Sequence, residues 1–166
     1  MLTKNDFTTE EWAALRETPH LVGVATMLAG ASGLGTLKES IAAAKLVMEG
    51  QSSNVPLIRD LSNREDMKAA QDAILKAVGS GEGSVDKVQT LALDRVRQTM
   101  ALLKSKGASE EIEGLRAWLV SLGEGVANAA REGGFLGFGG EQVSEGEKAF
   151  LANLNAALGS SAAAGA

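Results

Sequence analysis

The sequence predicts an all-α fold, a bundle of six or seven helices arranged as antiparallel hairpins around a central apolar helix. Three observations lead to this prediction. Apolar residues recur at steps of three and four along most of the chain, which is the period of one helix face. Several of these segments begin with a capping residue, among them Thr8 and Ser144, and Gly107 is expected to end the long helix before it. Runs of β-branched residues and Asn-Gly or Asp-Gly turns are missing from the sequence, so no strand is expected.

The central helix is expected from Pro19 to about Gly33 or Gly35. Between Glu17 and Lys38 the sequence contains no formally charged side chain apart from its single histidine. A helix that is apolar on nearly every side has to be buried on nearly every side. Its glycines and alanines would let neighbouring helices approach its backbone closely. We therefore expect the other helices to surround it.

A separate, shorter helix is expected in front of the central one. Thr8 and Glu11 have the spacing of a capping box and mark its start. It should run to about Glu17, because Thr18 precedes Pro19 and a residue before proline is disfavoured in the α conformation. The sequence thus predicts a break at Thr18.

The remaining helices are predicted from their apolar stripes. The second amphipathic helix carries Leu34, Leu37, Ile41, Ala44 and Met48 on one stripe. Pro56 opens a short turn through Leu61. The later stripes are Met67, Ala70 and Ile74 with Ala77 or Val78; Val85, Val88, Ala92, Val96, Met100 and Leu103; Ile112, Leu115, Leu119, Leu122, Val126 and Ala129; and Phe150, Leu154 and Leu158. The heptad of the Ile112 stripe predicts packing on a neighbour at about 20°.

Length and composition indicate one domain. The chain has 166 residues, of which 45% are hydrophobic, and this suffices for a sizeable core. We assign residues 1–158 to a single helical domain and 159–166 to a tail of small residues. Cysteine is absent, which excludes disulfides, thiolate zinc sites and cysteine nucleophiles. The N-terminal residues lack a signal-peptide pattern, so a cytoplasmic location is predicted.

The charge pattern argues against nucleic-acid binding. The net charge is −5, and an acidic chain without a long basic face is poorly suited to a phosphate backbone. The middle of the chain is weakly basic. Its residues Arg95, Arg97, Lys104 and Lys106 are expected to form a solvated face, paired with Asp94 and with the acidic C-terminal third. An acidic partner is the alternative.

His20 is the main candidate for chemistry. It could act as a general base, or as a metal ligand with Glu17. The simpler interpretation is a histidine at a helix start, bonded to backbone or water, because no partner stands at catalytic spacing. One histidine cannot supply the two Glu-x-x-His pairs of a dimetal bundle. The sequence therefore predicts no catalytic residue, no metal ligand and no cofactor, and it specifies no ligand-binding residue.

Two further patterns resemble sites without meeting their requirements. The glycine-rich segment 133–140 precedes a capped helix, but a phosphate-binding loop needs a Gly-Lys-Ser/Thr sequence that is missing here. Its Phe135, Leu136 and Phe138 are expected to fill a groove between helices instead. The carboxylates at 110, 111 and 113 are expected to be a solvated helix start.

The central segment also raises two lipid-related alternatives. Its uncharged span from Leu21 to Leu37 reaches the lower limit of about 17 residues for a membrane helix. Its glycines and the lack of basic or aromatic flanks argue against spanning. A bundle whose helices part around a small apolar ligand stays open as an alternative.

Both ends of the chain resemble a family of uncharacterised bacterial helical proteins. The stretches that carry the resemblance are Asp6-Phe7-Thr8-Thr9-Glu10-Glu11-Trp12, Gly134-Phe135-Leu136-Gly137-Phe138-Gly139-Gly140 and Val143-Ser144-Glu145-Gly146-Glu147. The resemblance implies a bacterial origin and an all-helical fold, and it implies no activity.

These observations favour a non-catalytic role. Our leading hypothesis is a soluble helical interaction or scaffold module that binds a protein partner or associates with itself. The alternative is a carrier of a small apolar ligand or lipid within the bundle. An enzyme that uses His20 is the third hypothesis.

Overall fold

The computed structural model describes residues 1–30, 36–78, 85–131 and 143–159. Within these ranges the chain forms seven α-helices, two short 3-10 turns and no strand, which confirms the all-α prediction. The helices are α1 (Thr9–Ala29), α2 (Thr36–Glu49), α3 (Pro56–Leu61), α4 (Arg64–Val78), α5 (Val85–Ser105), α6 (Ser109–Arg131) and α7 (Glu145–Ala157). The 3-10 turns are Lys4–Asp6 and Gly50–Ser52.

Helix α1 is the centre of the bundle, as predicted. It contacts α2, α4, α5, α6 and α7. Every residue from Thr18 to Gly23 is buried, so this part of the helix is covered on all sides. Gly23 faces α2, where a Cβ atom on the glycine would lie 3.2 Å from the Cβ of Ala43. The small residue thus allows the two helices to approach closely. The antiparallel order of the hairpins stays a prediction.

The predicted break at Thr18 is wrong. Helix α1 runs without interruption from the Thr8 cap to Ala29, and Pro19 lies inside it. An interior proline removes one helix hydrogen bond and costs about 3 kcal/mol, so burial of the surrounding turns must outweigh this cost. The Thr18 hydroxyl donates to the Ala14 carbonyl at 3.1 Å and lies 2.8 Å from the Thr99 hydroxyl on α5. This contact ties the proline-containing turn to its neighbour.

The predicted stripe of α2 is also wrong. Ile41 is 62% exposed and Met48 is 37% exposed. The face that packs on the bundle instead carries Val47, which is buried, with Ala43 against α1 and Leu46 against Gly125 of α6. This helix therefore has two apolar faces, and only the one with the smaller residues turns inward.

Most of the other stripes are buried as predicted. The confirmed residues are Met67, Ala70, Ile74, Val88, Ala92, Val96, Met100, Leu103, Leu115, Leu119, Leu122, Val126, Phe150, Leu154 and Leu158. Ile112 and Ala129 are half-buried. Val85 was expected to point inward and is 40% exposed, because it is the first residue of α5 and lies before the first buried turn.

The ends of the helices follow the predicted capping chemistry. The Thr8–Glu11 and Ser144–Glu147 capping boxes both form. Gly107 ends α5 with φ +68°. Its N–H bonds to the Lys104 carbonyl, and that of Ala108 bonds to the Leu103 carbonyl, which is the hydrogen-bond pattern of a Schellman motif.

Several predictions fall on residues outside the described ranges. They concern Leu34, the connector 79–83, the glycine-rich segment 133–140 and residues 160–166 of the tail. The side chains of Leu37, Ala77 and Val78 are likewise not described.

Candidate functional site

His20 lies in the interior of the bundle rather than at a helix start. It is 7% exposed, in the middle of α1, and its Nε2 atom has no hydrogen-bond partner. Burial lowers the pKa of its imidazole from 6.5 to about 4, since the charged form loses its hydration. The side chain is therefore a neutral imidazole at pH 7. The expected position of His20 at a helix start is wrong, because α1 continues through Pro19.

Glu17 does not join His20 in a site. Its Oε2 atom lies 2.9 Å from Arg95 Nη2, and both side chains are largely buried. Within the described ranges, no group of three or more His, Asp or Glu side chains is placed to hold a metal ion. Glu17 therefore has a structural role, because its ion pair with Arg95 joins α1 to α5.

The basic residues of the middle segment pair with α1 more than with the C-terminal third. Arg95 bonds to Glu17, and Lys106 Nζ lies 3.1 Å from Glu11 Oε2. The Arg97–Asp94 pair forms at 2.8 Å as predicted. The predicted pairing of Arg95 and Lys106 with the acidic C-terminal third is therefore wrong. Helix α5 packs along α1, which places Glu17 and Glu11 beside these two basic residues.

The buried carboxylate Asp66 forms the most connected polar cluster of the described chain. It accepts hydrogen bonds from Lys4 Nζ at 2.8 Å and from Trp12 Nε1 at 2.9 Å, and Arg16 Nη1 lies 3.5 Å away. Burial raises the pKa of Asp66, but these hydrogen bonds and the two cations outweigh burial, and the pKa is lowered overall. The cluster joins the N-terminal segment, α1 and α4. The partners of Asp66 occupy both of its carboxylate oxygens, so this cluster stabilises the fold.

Glu111 is a second buried carboxylate, and its burial was not predicted from the sequence. It was expected to be solvated with Glu110 and Glu113, but only those two are exposed. Glu111 Oε1 accepts a 2.6 Å hydrogen bond from the Leu2 N–H. The donor lies 109 residues away in sequence, so local patterns gave no sign of it.

The outer face of α2 is the first surface with functional potential. Ile41 and Met48 are two of the exposed large apolar residues of the described chain. They are seven residues apart, which places them on the same side of the helix. The half-buried Ala44 lies between them. We call Ile41, Ala44 and Met48 the α2 outer stripe.

A groove between the end of α2 and α6 is the second candidate. Its volume is about 210 Å³. We call it the α2–α6 groove, and its principal lining residues are Leu46, Glu49, Ser52, Trp118, Ser121 and Leu122. Glu49 is the only charged residue among all those that line it.

Two larger depressions have a simpler geometry. One, of about 380 Å³, is lined by residues of α5 alone, and the other, of about 350 Å³, by residues of α6 alone. A surface lined by a single helix offers no converging groups from separate elements. These three depressions are open to solvent, and none of them is the enclosed cavity expected of an apolar-ligand carrier.

Comparisons with known proteins add no functional assignment. No family model, no curated protein and no solved structure matches the chain. The resemblance of its two ends to a bacterial helical family therefore stays a prediction. In the part of the chain that the structure describes, no helix is long and apolar enough to cross a membrane.

Proposed function

We propose that this protein is a non-catalytic helical interaction module that associates with a second copy of itself through the α2 outer stripe. The observation that carries the proposal is the exposure of Ile41 and Met48 on one face of a helix whose opposite face already packs on the bundle. Extended apolar patches mark interaction surfaces, and the α2 outer stripe supplies the apolar part of such a surface.

The spacing of the stripe is self-complementary. A symmetric dimer uses the same patch on both copies. When two α2 helices pair in antiparallel fashion about Ala44, Ile41 of each copy lies against Met48 of the other. The small side chain of Ala44 at the centre allows the two helices to come close.

The charge of α2 also favours a second copy as the partner. The helix contains two lysines and two glutamates, so it is locally neutral within a chain of net charge −5. Two acidic chains repel each other least where their surfaces carry no net charge. A cytoplasmic location, favoured by the absence of cysteine, is part of the same proposal.

The expected dimer is weak. The exposed fractions of Ile41 and Met48 together amount to about one whole side chain per copy, and burying one is worth about 1.5–3 kcal/mol. Over two copies the stripe alone supplies roughly 3–6 kcal/mol, which does not clearly exceed the association cost of about 4–15 kcal/mol. Dimers should therefore be detected only at the top of the concentration range, at about 1 mM, where polar contacts around the stripe add to this gain.

Sedimentation equilibrium over a concentration series up to about 1 mM tests the proposal. The average mass of the wild-type protein should rise from 17.1 kDa toward twice that value. Ile41→Glu should stay monomeric, because it places a carboxylate against the apolar Met48 of the other copy. Val85→Glu, which changes an exposed apolar residue on α5, is the matched control and should associate like wild type. A monomeric wild type at every concentration, or an associating Ile41→Glu variant, contradicts the proposal.

A further inference from the structure

We propose that the α2–α6 groove binds a small organic cation of the alkylammonium class. The groove combines one carboxylate, one indole ring and aliphatic walls from Leu46 and Leu122. Each of these features selects for a different property of the ligand, and together they specify charge, shape and size.

The charge of the groove is negative from two sources. The first is the carboxylate of Glu49. Its nearest cation is Lys45, at 3.9 Å, and both side chains are more than half exposed, so this pair holds Glu49 weakly. The second is the C-terminal end of α2, where the groove lies and where the helix dipole carries a partial negative charge. The Glu49 carboxylate and the helix dipole both disfavour the binding of an anion.

The indole of Trp118 supplies the surface on which a cation can rest. Trp118 is half-buried, whereas Trp12 is buried in the core. Gly50 sets its position, because a Cβ atom there would lie 2.9 Å from Trp118 Cζ2 and 2.1 Å from Ser62 Oγ. The absence of a side chain at Gly50 thus lets the ring lie directly on the turn after α2. Indole is the aromatic ring that attracts cations best.

The size and the walls of the groove define the rest of the ligand. Its volume of about 210 Å³ is below the roughly 300–1,000 Å³ of sites for drug-sized molecules. The aliphatic side chains favour N-methyl or short alkyl groups over a hydrated inorganic ion. The hydroxyls of Ser52 and Ser121 offer hydrogen bonds to one polar substituent.

The test is a titration with choline chloride, followed by NMR of the protein labelled with nitrogen-15. Its neutral isostere, 3,3-dimethyl-1-butanol, is titrated in parallel. We expect choline to shift the Trp118 indole N–H resonance saturably while that of Trp12 stays in place. The isostere should bind about tenfold more weakly or not at all, because it lacks the charge that the indole and Glu49 attract.

Two variants locate the site. Glu49→Gln and Trp118→Leu should each weaken choline binding about tenfold, as read from the backbone amides of Ser52 and Ser121. Glu113→Gln, an exposed carboxylate of α6 that does not line the groove, is the control and should bind like wild type. Equal binding of the neutral isostere, unsaturable shifts, or unchanged binding by Glu49→Gln overturns the proposal. The titration is repeated in Ile41→Glu, which leaves the groove residues in place, so its outcome is independent of self-association.

Discussion

Replacing Gly146 with alanine should destabilise the protein, although alanine is the better helix former. Gly146 lies in the first turn of α7 and is exposed to solvent. On helix propensity alone, alanine would gain up to about 1 kcal/mol. A Cβ atom at this position, however, would lie 2.4 Å from the Ala29 carbonyl oxygen at the end of α1. The two helices touch here through their backbones.

The magnitude follows from the distance that has to open. Cβ contacts shorter than 3.0 Å essentially do not occur, so α7 must move away from α1 by at least 0.6 Å, the difference between 3.0 and 2.4 Å. The obstacle is a backbone atom, which cannot rotate aside. Overpacking of this kind costs about 1–3 kcal/mol. Because the obstacle is backbone, the upper part of this range applies, about 2–3 kcal/mol, and after a propensity gain of up to about 1 kcal/mol we expect a net loss of about 1–2 kcal/mol.

Urea unfolding followed by circular dichroism measures the effect. The midpoint of Gly146→Ala should fall below that of wild type at an unchanged slope. Ala149→Gly, at an exposed position of the same helix, is the control. It should lose about 1 kcal/mol through propensity alone, which calibrates the sensitivity of the assay. A Gly146→Ala protein as stable as wild type or more so would refute the close contact between α1 and α7.

Two further predictions concern buried titratable groups. Burial lowers the pKa of His20 to about 4, so between that pH and 6.5 the unfolded chain binds a proton that the folded chain does not. The free energy of unfolding should therefore fall by about 2 kcal/mol from pH 7 to pH 5, as measured by urea unfolding at the two pH values. The chain has no other histidine, so His20→Gln should reduce this loss. Asp66→Asn should cost about 2 kcal/mol in the same assay at pH 7, because Lys4 and Arg16 lose their shared carboxylate. Asp72→Asn, whose exposed carboxylate lies on the same helix, should leave the midpoint unchanged.

The features that depend only on neighbouring residues were predicted correctly from the sequence. The caps at Thr8 and Ser144 and the stop at Gly107 follow from the hydrogen-bonding capacity of a few neighbouring residues, and all three are present. The stripes of α5 and α6 were recognisable because each of those helices has a single apolar face. Such features need no knowledge of the rest of the chain.

Most of the incorrect predictions share a different cause, since they were decided by distant parts of the chain. Helix α2 has apolar residues on two faces, and hydropathy favours the one with Ile41 and Met48. The small Ala43 packs inward because Gly23 of α1 leaves room for it. Pro19 is tolerated within α1 because several helices cover the surrounding turns.

The candidate sites were hidden from the sequence for the same reason. The α2–α6 groove joins residues about 70 positions apart, such as Glu49 and Trp118, and no spacing motif links them. The α2 outer stripe was recognised as a pattern and placed on the wrong side of its helix. His20 drew attention as the single histidine, yet the burial of its Nε2 atom without a hydrogen-bond partner depends on the helices packed around α1.

The central position of α1 has a consequence for synthesis on the ribosome. Ala29 of α1 and Phe150 of α7 belong to the same apolar cluster, and about 120 residues separate them. At a translation rate of about 5–20 residues per second, the nascent chain carries α1 without this cover for roughly 6–24 s. During that interval the part of α1 that α7 covers is exposed, so the growing polypeptide is a suitable client for a chaperone that binds apolar segments near the exit tunnel.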